Sequence, residues 1–345
     1  MKLLKNKKLM IPVYVICILV LTWVVFAVIP PSKVIGENPF IVGKGERPLI
    51  AAHRGGKNLR PENTMLAFNY AIDNYSIDIL ELDLVMTKDG HLVSIHDDTI
   101  NASSDAEEVL DRIGEDLFVG DFTLEELLQF NFGAKFKDRD GNYPYANLVN
   151  LETENRAEVI RTAQLNIVTI EEILDAYYDI DLMFIIEIKN AGEKGKAAAD
   201  ILYSLMTDDV RYPNSNFLRR IVIGTFHNEI ELYIRNEYPS IFRGASVGEA
   251  AKFLISQMVG VNVFVESSFV CLQIPTSYNI KGIKLNLAKK TYINRAHRKN
   301  ISVQYWTIND RDTMIKLINY GADVIMTDDP DVLYQVLIDL GYKFN

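Results

Sequence analysis

Two histidines, three carboxylates and two cations lie in or beside short apolar runs, where such groups are costly unless they are paired or bind something. In Ile79-Leu80-Glu81-Leu82-Asp83-Leu84-Val85, a strand puts Glu81 and Asp83 on one face and Leu80, Leu82 and Leu84 on the other. Two adjacent carboxylates repel unless something positive lies between them, although a solvated edge strand would show the same alternation. In Phe184-Ile185-Ile186-Glu187-Ile188-Lys189, Glu187 and Lys189 share a face inside an apolar run, which favours pairing or ion binding. Three carboxylates without a cysteine or histidine cluster suit a hard cation held through oxygen, Mg²⁺ or Ca²⁺. Arg54 follows His53 at the end of the run Leu49–Ala52; its guanidinium can hold a phosphate by two parallel hydrogen bonds. A lone histidine at a strand end, as His53 is, is more often a structural residue than a catalyst.

His96 enters through a turn. Lys88-Asp89-Gly90-His91 contains the Asp-Gly of a two-residue hairpin loop. With that loop Asp83 faces His96 directly across the hairpin, and a one-residue change of register would undo the match. Downstream, Tyr305-Trp306-Thr307 supplies either core aromatics or a wall of the pocket.

The elements that must position these groups alternate along the chain. Strand patterns cover 49–52, 79–85, 92–95, 182–188, 220–226, 242–247, 270–274, 301–307 and 322–326, with amphipathic helical patterns over 62–74, 195–206, 228–237, 249–259 and 311–320. Repeated strand-then-helix units predict an α/β fold with a mainly parallel sheet, and about eight units in about three hundred residues fit a barrel better than a doubly wound sheet. The hairpin makes that barrel locally irregular. Residues 101–168 break the rhythm with acidic clusters and a polar turn at 137–142, and read as an insertion on one barrel connection.

The amino terminus is different in kind. Residues 1–8 form a basic tail with Lys2, Lys5, Lys7 and Lys8, and residues 9–29 carry no charge. At about 1.5 Å per residue that run can cross a hydrocarbon core of about 30 Å as a transmembrane helix. It exceeds the apolar core of a cleaved signal and lacks a small-x-small cleavage site, so it reads as a signal anchor. The lysine bias favours a cytoplasmic amino terminus with residues 30–345 outside. Residues 30–48, with Pro30, Pro31, Pro39 and three glycines, read as a linker, and 49–345 as the barrel domain. The chain of 345 residues is 48% hydrophobic with net charge −10, and because residues 1–29 carry four lysines and no acid the remainder sums to −14. The acidic body makes nucleic acid an unsuitable partner, and two cysteines cannot build a disulfide framework.

Taken together, HRGGKNLRPENT at 53–64, ELD at 81–83, KDG at 88–90, HDD at 96–98, TLEEL at 123–127, EIK at 187–189, YWTIND at 305–310 and TDDP at 327–330 resemble the glycerophosphodiester phosphodiesterase family. The ordered set, spanning Leu49 to about Leu337, carries the resemblance. It implies a TIM-type (β/α)8 barrel, a divalent cation, and hydrolysis of glycerophosphodiesters to glycerol 3-phosphate and an alcohol. By position, His53 and His96 resemble the acid/base pair and Glu81, Asp83 and Glu187 the metal ligands. Arg54 and Lys189 resemble phosphate contacts, with Trp306 beside the substrate. The sequence departs at Gly56–Arg60 and at His227, where a Ser-Phe-acid pattern is common; both bear on which alcohol is preferred. A lysophospholipid or phosphoinositide-type phosphodiesterase acting on the lipid bilayer is the rival reading. A non-catalytic glycerophosphate-binding barrel would be expected to have lost one of these groups.

Overall fold

The computed structural model describes residues 7–29, 31–214, 216–259, 265–280 and 282–344. The chain enters through helix α1 (Lys7–Val28) and reaches strand β1 (Leu49–Ala52), helix α2 (Met65–Tyr75), and the strands β2 (Ile79–Met86) and β3 (Leu92–Ser94). Short helices α3 (Ala106–Leu110), α4 (Leu124–Leu127) and α5 (Arg156–Thr162) lead to α6 (Ile170–Tyr177) and β4 (Met183–Ile188). Alternation then resumes with α7 (Gly192–Met206), β5 (Ile221–Gly224), α8 (Asn228–Glu237), β6 (Phe242–Arg243), α9 (Val247–Val259) and β7 (Cys271–Ile274). After a hairpin, β8 (Ser277–Ile280) and β9 (Ile283–Asn286), come α10 (Lys290–Arg298), β10 (Ser302–Tyr305), α11 (Arg311–Tyr320), β11 (Val324–Thr327) and α12 (Pro330–Asp339).

Eight parallel strands run in the order β6-β5-β4-β2-β1-β11-β10-β7, and a parallel bridge between Gly244 and Cys271 brings the two ends together. The expected barrel is therefore present, nearly closed, with helices outside it. Period-two alternation builds its two cores. Leu80, Leu82 and Leu84 of β2 point outward into the large cluster shared with the helices, whereas Ile79 joins Ala51, Ile185, Val222 and Val324 inside the barrel. The helices begin where the sequence supplies caps: Thr64 accepts from the Ala67 N–H, Thr169 and Glu172 cap α6 reciprocally, and Asp310 caps α11.

One register is corrected. In the β2–β3 hairpin Leu84 faces Ser94 and Val85 faces Val93, so the residue opposite Asp83 is Ile95, whose N–H donates to the Asp83 carbonyl at 3.0 Å. His96 is one position further on. The loop has three residues, Lys88 to Gly90. Thr87 closes it: its N–H donates to the His91 carbonyl at 2.9 Å and its hydroxyl accepts from the His91 N–H and donates to Asp89 at 2.7 Å. Gly90, at φ +90°, supplies the left-handed residue that such a loop requires. The strand expected over 242–247 is also shorter, because Ser246 and Glu249 exchange backbone and side-chain hydrogen bonds and start α9 at Val247.

Residues 101–168 lie between β3 and β4. They bury Leu117, Val119, Phe122 and Phe130 against Val85, Val93, Ile95 and Ile100, a small core of their own beside the barrel mouth. The expected basic tail lies, up to residue 6, outside the described residues. The side chains of α1 are described for residues 10–25 alone, where Ile11, Leu19 and Leu21 are exposed. Among the described residues no helix is long and apolar enough to cross a membrane.

Candidate active site

Strand ends deliver the site. Beyond β1, residues 53–56 make one tight turn in which Arg54, Gly55 and Gly56 all have positive φ. A Cβ on Gly55 would stand 2.7 Å from a Phe68 ring carbon, and one on Gly56 2.8 Å from Pro330 Cγ, so glycine is needed for the turn to pack between α2 and α12. The turn aims the Arg54 N–H at Glu81 Oε2, 2.8 Å away. It also places the His53 ring, with Nε2 3.9 Å from Glu81 Oε2.

The carboxylates come from two paired strands. Asp83 and Glu187 are register partners on β2 and β4, and Glu81 is two residues before Asp83 on the same inward face. Glu81, Asp83 and Glu187 offer oxygens that all lie within 4.8 Å of one another. Glu81 and Asp83 are 3% and 1% exposed, and burial together with the charge of Asp83 pushes the Glu81 carboxyl up, to about 8. Two cations face this cluster. Lys189 Nζ is 2.9 Å from Glu187 and 3.8 Å from Asp83, and Arg54 Nε is 3.3 Å from Asp83 Oδ2 but is buried without an aligned hydrogen bond. Its Nη1 donates to both Glu62 oxygens at 3.2 and 3.3 Å.

His53 is held from behind. Its Nδ1 is 2.6 Å from Asp328 Oδ1, and the other Asp328 oxygen accepts from Asn309 Nδ2 at 2.7 Å. Burial alone would lower the imidazole pKa; Glu81 and the Asp328 hydrogen bond outweigh it, so the value is raised. Asp328 itself is held below the carboxylate range: burial opposes ionisation, but the hydrogen bond and charge of His53 prevail. The arrangement orients one imidazole with a single nitrogen directed at the carboxylates.

His53, Arg54, Glu81, Asp83, Glu187 and Lys189 thus form one connected group. His96 does not pair with Asp83; its Nδ1 bonds Asp97 at 2.7 Å with the ring 31% exposed, at the same mouth because Ile95 is tied to Asp83. Trp306 stands against Phe226, ring centres 6.0 Å apart, and Phe226 is exposed. Beside Lys189 opens a cleft of about 330 Å³ whose walls include Asp98, Phe118, Lys194 and His227.

Sequence alone gives no role to Asp328, Asn309, Glu62 or Asn63, and it marks His227 only as a departure that bears on the preferred alcohol. Asn63 Nδ2 donates to Asp83 at 3.3 Å and its oxygen accepts from Ser94 Oγ at 2.9 Å, while His227 Nε2 is 2.9 Å from the Lys189 carbonyl. Asp328, Asn309, Glu62 and Asn63 lie inside the strings PENT, YWTIND and TDDP; strand periodicity cannot find them because all four sit on loops or caps.

Comparison with known proteins points to one family. Residues 53–332 match the Glycerophosphoryl diester phosphodiesterase family. A glycerophosphodiester phosphodiesterase of Caldanaerobacter subterraneus subsp. tengcongensis is 26% identical over 291 residues, covering 84% of this chain and 97% of that protein. Among solved structures, the glycerophosphoryl diester phosphodiesterase domain of a Mycobacterium tuberculosis protein superposes with a TM-score of 0.64 at 16% identity, covering 84% of this chain and 99% of that one. An Oleispira antarctica phosphodiesterase in complex with the product sn-glycerol-3-phosphate gives 0.59 at 18% identity, covering 85% and 97%. These likenesses in structure concern the fold.

Proposed function

The chain belongs to the glycerophosphoryl diester phosphodiesterase family, and from that premise we infer that it is a metal-dependent enzyme hydrolysing glycerophosphodiesters to glycerol 3-phosphate and an alcohol. The observation that carries this reading is the convergence of three carboxylate side chains within 4.8 Å with Arg54, Lys189 and an oriented His53 at the carboxyl ends of barrel strands. That donor set is all oxygen and mostly buried, which suits Mg²⁺ or Ca²⁺. Glu81, Asp83 and Glu187 would hold the ion. When bound, such an ion neutralises the phosphodiester and stabilises the charge that grows in the transition state.

The chain's own residues do the rest. Arg54 and Lys189 hold non-bridging phosphate oxygens, and His227 steadies the Lys189 backbone. His53, fixed by Asp328, takes the proton from the attacking oxygen as its bond to phosphorus forms. His96 gives a proton to the alkoxide as the opposite P–O bond breaks. Trp306, with Phe226, walls the substrate. Replacing either histidine by Ala should cost about 10²–10⁴-fold with an alkyl leaving group. With a nitrophenyl ester, which needs no protonation, the His96→Ala enzyme should recover most of its rate while His53→Ala stays slow; equal recovery of both contradicts the division of roles.

We place the enzyme at the cell membrane as a single-pass protein: residues 1–8 in the cytoplasm, 9–29 in the bilayer, 30–48 as connector, and 49–345, with the insertion at about 101–168, outside. The uncharged run and the exposed side chains of α1 support this. Protease added to intact cells should remove the barrel; full protection contradicts the orientation.

A further inference from the structure

One side chain of the insertion grips the catalytic end of the barrel. Among the described residues, Arg112, Lys135 and Arg156 form their ion pairs inside 101–168, and Arg139 is the insertion residue that forms them with the barrel. Its Nη1 donates to Asp331 Oδ2 at 2.6 Å. Its Nη2 donates to Asp331 Oδ1 at 2.8 Å and to Asp329 Oδ1 at 2.6 Å. The turn that carries Arg139 is held by its own hydrogen bonds. Asp138 accepts from the N–H groups of Asp140 and Asn142 at 3.0 and 2.7 Å, its N–H donates to the Asn142 carbonyl at 2.9 Å, and Gly141 takes φ +88°. The guanidinium is therefore presented by a fixed loop, which lowers the entropy cost of the contact.

What it grips adjoins the support of His53. Both oxygens of the buried Asp329 accept from Asn58 Nδ2 at 3.0 Å, and the Asn58 N–H donates to the Asp328 carbonyl at 3.2 Å. Asp329 thus joins three segments: the insertion, the stretch after β1 that carries His53, and the stretch after β11 that carries Asp328. Asp329 and Asp331 share one guanidinium nitrogen. Without that cation the two carboxylates repel each other across the first turn of α12, and the neutral Asn58 amide is the remaining side-chain partner of Asp329 among the described residues. A shift there passes directly to Asp328 and, through Asn58, to the turn that carries His53. The Arg139 side chain is 46% exposed, so the pair adds little to overall stability. What it fixes is geometry, because a planar fork fits one arrangement of the two carboxylates.

Resting on the phosphodiesterase reading above, we propose that Arg139 is a positioning residue: from the insertion it clasps Asp329 and Asp331 and so holds the Asp328–His53 pair in place beside the carboxylate cluster. It touches neither substrate nor the reacting atoms and acts through Asp328. The insertion is then more than a cover on one barrel connection, since its seating on α12 is a condition for an oriented His53. Loss of the clasp leaves the cation and phosphate contacts intact and lowers the rate of the chemical step.

The test is a double-mutant cycle on the full chain supplied with Mg²⁺ or Ca²⁺, with release of glycerol 3-phosphate from glycerophosphocholine as the readout. Arg139→Met should lower kcat about tenfold with KM within about twofold and Tm nearly unchanged. Arg139→Lys, which keeps the charge and loses the fork, should lose only about threefold. If Arg139 acts through Asp328, adding Arg139→Met to Asp328→Asn should cost no more than about twofold beyond Asp328→Asn alone. Amide exchange supplies a readout that needs no turnover: residues 53–58 and 327–333 should exchange about tenfold faster in Arg139→Met, with the rest of the barrel unchanged. A wild-type kcat in Arg139→Met, a change confined to KM, a full further tenfold loss in the double variant, or unaltered exchange would each overturn the proposal. No release by the wild type would overturn the phosphodiesterase reading instead, and the exchange measurement would then decide the clasp by itself.

Discussion

Asp328 never touches the carboxylate cluster, yet it decides how His53 meets it. The 2.6 Å contact to Nδ1 fixes which ring nitrogen looks at Glu81 and helps to raise the imidazole pKa. Asp328→Asn should therefore lower kcat by about 10²-fold with KM changed only a few-fold. It should also move the acidic limb of the pH–rate profile to lower pH, because a base with a lower pKa is neutral at lower pH. An unmoved profile with a lower Tm would reduce Asp328 to a structural role. At this scale the alternation of Glu81, Asp83, Glu187 and Lys189 was legible, since a period of two places same-face residues without further information. The Asp328–His53 pair, 275 residues apart, was not, because it exists only once β1 and β11 lie side by side.

Elements were readable where one local rule governs them and misread where a side chain overrides it. β1, α8 and α11 appear at the bounds that apolar periodicity predicts. The β2–β3 register slipped by one because Thr87, with its hydroxyl on Asp89 and His91, sets a three-residue loop where Asp-Gly alone suggested two. The Ser246–Glu249 spacing was a readable helix start that the strand pattern over 242–247 masked. The β8–β9 hairpin and helices α6, α10 and α12 were not foreseen. The tight turn after β1 connects element to site. Gly56 stands at φ +83° with Pro330 against its missing Cβ, and a proline ring cannot rotate aside. Gly56→Ala should cost about 2 kcal/mol by denaturant unfolding and lower kcat as well, because α12 begins two residues after Asp328. A variant with wild-type stability and rate would show that the turn tolerates a side chain.

For the molecule as a whole, the buried carboxylates are a source of instability that the proposed cation would relieve. Without metal, burial and the charge of Asp83 push the Glu81 carboxyl up from an ordinary 4.5 to about 8. The native state therefore holds a proton that the unfolded chain has lost, and stability falls as pH rises from about 4.5 to 8. His53, raised from 6.5, adds in the same direction: its contribution is complete below 6.5 and is lost as pH rises through the folded value. Asp328, lowered from 3.8, loses its contribution only in acid below that window. In chelator, Tm should thus be lower at pH 8 than at pH 6, and saturating Mg²⁺ or Ca²⁺ should raise it most at pH 8; a cation effect equal at both pH values would contradict this. The central claim is that the three carboxylates hold a divalent ion on which phosphodiester hydrolysis depends. It is tested most directly by following glycerol 3-phosphate release from a glycerophosphodiester by the full chain while its bound metal is measured. The account predicts that release stops as chelator strips the ion and returns when Mg²⁺ or Ca²⁺ is restored, with Glu81→Gln neither retaining the metal nor recovering. Full release in excess chelator, with no metal in the protein, would contradict it.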